Sequence, residues 1–104
     1  MSFNINKVIK DMKNAAVDAI KDDLDDIPVY ARQIFDNEKD ALRALAEARI
    51  TGEITDKQFQ RELKREKKVL EAEMLTISII SKAIAQKAVN AAINVLMDAV
   101  KLAV

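Results

Sequence analysis

A chain of 104 residues with one glycine, Gly52, and one proline, Pro28, has almost nothing from which to make tight turns. Sheets depend on such turns, and the residues that dominate here instead are Ala, Leu, Lys, Glu, Arg, Met and Gln, which lose least on entering a helix. The expected fold class is all-α. The length is too short for two independent cores, so residues 1–104 are read as a single helical domain.

The helix boundaries follow from apolar spacing and from the two breakers. Ile5, Val8, Ile9, Met12, Ala16, Ala19, Ile20 and Leu24 recur on one helical face and predict a helix over about 3–24. Asp25-Asp26-Ile27-Pro28 ends it, because proline drives the preceding residue to extended geometry and itself suits a first helical turn. The second helix is expected over about 28–51, burying Tyr30, Ile34, Phe35, Leu42, Leu45 and Ala48, and stopping at Thr51-Gly52. Thr55 with Gln58 three residues later is the pattern of a reciprocal N-terminal cap. No breaker follows, so a third helix is expected over 55–103, about 72 Å long at 1.5 Å per residue. Gly52 lies mid-chain, and the first expectation is an antiparallel hairpin of these three helices. The rival is a break at Thr76-Ile77-Ser78-Ile79-Ile80-Ser81, where β-branched and hydroxyl residues lower helix propensity, giving a four-helix bundle.

Charge and composition exclude several functions. Seventeen basic and seventeen acidic side chains cancel, leaving no net field to draw the chain onto nucleic acid or an anionic membrane. There is no histidine, cysteine or tryptophan, hence no ordinary general base near neutral pH, no thiol nucleophile and no disulfide framework. An enzyme is not expected, and no catalytic, cofactor-binding or metal-binding residue is assigned. Glu62 and Glu66 share a helical face without the histidines that di-iron bundles add. Asp22, Asp23, Asp25 and Asp26 lack the alternation and glycine of a calcium loop and are read as caps. Lys57, Arg61, Lys64, Arg65, Lys67 and Lys68 make a basic stripe in which Glu62, Glu66, Glu71 and Glu73 interleave, so it is read as a solvated face of alternating sign.

Residues 83–104 are the most informative. Gln86, Asn90, Asn94, Asp98 and Lys101 form a narrow polar stripe, and the rest is mostly apolar. So wide an apolar face must be covered by a bundle core, another subunit or a bilayer interface. Ile84, Ala88, Val89, Ala92, Ile93, Val95, Leu96 and Val100 are the candidate interface residues. Gly52, Thr55, Gln58 and Pro28 are the turn and capping residues.

Leu42, Leu45, Gly52, Ile54, Thr55 and Phe59, in the pattern L-x-x-L-(x)6-G-x-I-T-x-x-x-F, resemble the helical hairpin of the SHOCT domain over residues 42–63. The resemblance implies an oligomerisation or interaction hairpin; the pattern departs from the family at Ala48, where another leucine is usual. The chain's layout also looks like that of small helical hairpins exported by bacterial type VII secretion, without their Trp-x-Gly turn. The function expected first is a non-catalytic interaction or scaffold protein that self-associates, most simply as a dimer, without nucleic acid. A membrane-active or exported hairpin, or a dedicated binder of a protein partner, is the alternative. With neither a signal peptide pattern at Met1–Ile9 nor a spanning segment, the expected location is cytoplasmic, with signal-less export as the alternative.

Overall fold

A computed structural model describes residues 3–22, 29–76 and 80–104, the side chain of Tyr30 apart. Five helices appear in it: α1 (Ile5–Ile20), α2 (Val29–Asn37), α3 (Lys39–Ile50), α4 (Asp56–Leu75) and α5 (Lys82–Ala103). The fold is all-α, and no strand occurs among the described residues.

The first helix is shorter than the expected 3–24. Asn4 opens it, its side chain accepting a hydrogen bond from the Lys7 amide at 3.3 Å, and Lys21 closes it. Its buried face is Ile5, Val8, Ile9, Met12, Ala16 and Ile20, with Ala19 half-buried. Leu24, Asp23, Asp25, Asp26 and the turn residue Pro28 lie outside the described residues.

The expected second helix is kinked. Glu38, with φ −93° and ψ 3°, leaves helical geometry between α2 and α3, although the Glu38 amide still reaches the Ile34 carbonyl at 3.3 Å and the Leu42 amide reaches Glu38 at 3.0 Å. Ile34, Phe35 and Leu42 are buried on either side of the kink, and Leu45 and Ala48 are half-buried.

Two local devices build the turn between α3 and α4. Gly52 takes φ +83°, in the left-handed region, and its amide donates to the Arg49 carbonyl at 3.2 Å while Ile54 reaches back to Ala48 at 3.3 Å. A Cβ at Gly52 would meet nothing within 4 Å, so Gly52→Ala carries only the backbone cost of that φ, about 1 kcal/mol. A urea titration of this variant is expected to show that loss; an unchanged midpoint would mean that the turn relaxes freely. Thr55 caps α4 in a full capping box: its Oγ1 accepts from the Gln58 amide at 3.1 Å and its amide donates to Gln58 Oε1 at 2.8 Å.

The first expectation for the C-terminal half needs correction. α4 ends at Leu75, where the Thr76 hydroxyl back-bonds to the Glu73 carbonyl, and Ser81 caps a separate helix, α5, by accepting from the Ile84 amide at 3.3 Å. The hydroxyl residues that lowered helix propensity thus also supply the stop and the new cap. A straight helix of about 72 Å could not fit a molecule whose longest dimension is 41 Å.

Breaking there lets α5 turn back through the middle. α1 lies along most of α5, α4 flanks it, and α3 touches it as well. All five helices contribute to one cluster of buried side chains, with Met12, Leu42, Leu70 and Leu96 among those fully enclosed. No buried polar or charged residue interrupts it among the described residues.

Candidate interaction surface

The wide apolar face of α5 is the centre of this bundle. Ala88, Val89, Ala92, Ile93, Leu96 and Val100 are buried by the chain's own helices, and Ile84 and Val95 are half-buried. Six of the eight candidate interface residues therefore have no free surface to offer a second subunit. Periodicity shows that a face must be covered but not which chain covers it.

What α5 leaves uncovered is a narrower strip on the side of α1. Val95, Ala99, Leu102 and Ala103 face Phe3 and Val8 across a groove of about 340 Å³. Leu102 is 75% exposed, the most of any large apolar side chain described. Lys7 and Asp11, 3.9 Å apart, stand on the rim of this groove and give it one charge of each sign.

The charges of α4 are sorted rather than alternating. Glu62, Glu66 and Glu73 recur at spacings of four and seven and share one flank, which faces the α2–α3 kink. Lys57, Arg61, Lys64 and Lys68 recur at four, three and four along the opposite flank, and Lys64 and Lys67 line a trough with Asn90 and Asn94 of α5. Residues that interleave in sequence are thereby separated, because 3.6 residues per turn sends neighbours to different sides. The signs are thus sorted about the α4 axis, an acidic flank turned inward and a basic flank turned out, with Lys57, Arg61, Lys64, Arg65 and Lys68 exposed.

The acidic flank meets Glu38. Burial, then a hydrogen bond with the Glu38 carboxyl, then the charges of Glu38 and Glu66 push the Glu73 carboxyl up to about 7. Glu66 is raised as well, by burial first and then by Glu38 and Glu62, with Arg65 opposing, and its Oε2 is enclosed without a hydrogen-bond partner. These carboxylates do not converge on a metal-binding group; none with three or more such ligands occurs among the described residues. Sequence reading paired Glu62 with Glu66 and set Glu73 among the glutamates of the basic stripe, but it did not join Glu38 to them, since only packing brings α4 to the kink.

No helix among the described residues is long and apolar enough to cross a membrane. Comparison of the chain with protein-family models, curated proteins and solved structures gave no match in any of the three.

Proposed function

We propose that the protein is a non-catalytic helical interaction protein that self-associates, as a two-fold dimer, through the groove between α1 and α5. The observation that carries this reading is the apolar strip of Phe3, Val95, Ala99 and Leu102, left open when the rest of α5 is covered. A two-fold interface pairs a patch with itself, and a rim that carries both charge signs, as Lys7 and Asp11 give this one, suits that pairing. A second copy laid antiparallel sets each Lys7 beside the partner copy's Asp11 and buries the two Leu102 side chains together. The SHOCT-like turn at Gly52–Thr55 supports an interaction role in general.

Absolute mass by light scattering, over a roughly hundredfold range of concentration, tests it. The expected result is a monomer that gives way to a dimer as concentration rises, and a Leu102→Asp variant that stays monomeric with unchanged helix content. A wild-type chain that remains monomeric throughout would overturn the reading.

A further inference from the structure

We propose that the basic flank of α4, with the trough it shares with α5, is a docking site for an acidic amphipathic helix of another protein. This surface is separate from the α1–α5 groove, so the inference stands whether or not the chain dimerises there.

Charge is the first argument. Among the described residues, none of Lys57, Arg61, Lys64, Lys67 and Lys68 has a carboxylate in ion-pair range, whereas Arg65 and Arg49 are satisfied by Glu62 at 3.5 Å and Asp56 at 3.7 Å. Glu71 adjoins this flank at its C-terminal end, and Asp56, held by Arg49, adjoins it at its N-terminal end. A molecule with no net charge has thus gathered cations along about three turns of one helix.

Shape is the second. The trough beside Lys64 and Lys67 has a volume of about 540 Å³; half-buried Met97 supplies its accessible apolar floor, and Leu63 and Ile93 line it while nearly covered. Gln60 and Met97 also line the adjoining cavity of about 360 Å³, where Asp56 and Asp98 stand against Arg49 and Lys101, so one furrow runs lengthwise between the two helices and its basic part is the end at Lys64 and Lys67. A parallel furrow between packed helices takes a third helix, whose apolar side chains settle on the floor while its acidic ones reach the rim. Leu75, 43% exposed at the far end of the basic line, offers that helix an apolar anchor.

A nucleic acid fits less well. Single strands are held by stacking on aromatic rings, and the one aromatic near the strip, Phe59, is buried at 2% exposure. Zero net charge also removes the long-range attraction that brings a polyanion to a protein.

The experiment is fluorescence anisotropy with a labelled synthetic helix of about five turns, bearing leucines at three- and four-residue spacing and glutamates on the flanks. Duplex DNA and phosphatidylserine vesicles serve as the competing polyanions. The wild-type chain is expected to bind the peptide saturably, and Arg61→Glu/Lys64→Glu/Lys68→Glu to bind it about tenfold or more weakly. All three positions are exposed, so the fold should persist; if circular dichroism shows otherwise, the glutamine triple variant gives the same comparison without repulsion. Absence of saturable peptide binding up to about millimolar concentration would overturn the proposal. So would equal binding by the triple variant, or a preference for DNA or vesicles that the triple variant loses.

Discussion

Leu96→Asp is expected to leave most of the chain unfolded, whereas Leu102→Asp, in the same helix, is expected to leave its stability within about 0.5 kcal/mol of wild type. The two leucines lie less than two turns apart in one helix but differ completely in environment, at 0% and 75% exposure. Removing a buried leucine costs about 2–5 kcal/mol, and forcing a carboxylate into the cavity adds several more because, among the described residues, no buried polar group stands ready to receive it. Domains of this size hold about 5–15 kcal/mol in all, so the first substitution consumes most of it. Helical circular dichroism during a urea titration reads both outcomes. A Leu96→Asp variant with a wild-type midpoint would mean that α5 is not the centre of the bundle.

Stability is expected to fall as pH rises from about 4.5 to about 7 and beyond, the reverse of the usual carboxylate trend. The Glu73 carboxyl is raised from its ordinary value of 4.5 to about 7, so between these values the folded chain holds a proton that the unfolded chain has released. The contribution is therefore complete below about 4.5 and is lost once Glu73 ionises beside Glu38 and Glu66. Glu62 adds to the repulsion around Glu66 and Arg65 relieves it in part. Glu73 is only half-buried, and solvent screening reduces the effect to about 1–2 kcal/mol. Glu73→Gln mimics the protonated form and should gain about that amount near pH 8 while matching wild type near pH 4.5. Urea midpoints measured across that range decide the matter, and a wild-type profile that is flat would sink it.

The same residues show what could be read in advance and what could not. Gly52 and the Thr55–Gln58 pair act within a few consecutive residues, and their geometry depends on little else. The apolar face of α1 was legible for a similar reason: Ile5, Val8, Ile9, Met12, Ala16 and Ile20 have to share a side of any helix that contains them. At Thr76–Ser81 the residues weaken a helix without forbidding it. Whether the chain bends there depends on what α5 gains by returning to cover α1 and α4, a tertiary quantity. Glu38 carried still less signal, being an ordinary helix former at a kink that matters through its contact with Glu73 on another helix.

Amino-acid order alone determined that this protein is helical, where its central turn falls, and that the face of residues 83–104 had to be buried. All three rest on local propensity and on 3.6-residue spacing, which act before any two helices meet. Only the tertiary structure decided that the chain covers that face itself, leaving the strip at Leu102 as the apolar surface beside α1. It also decided that the charges of α4 part into an inward acidic flank and an outward basic one. A periodic pattern gives the direction of a side chain relative to its own helix axis, and the neighbour standing in that direction is set by packing.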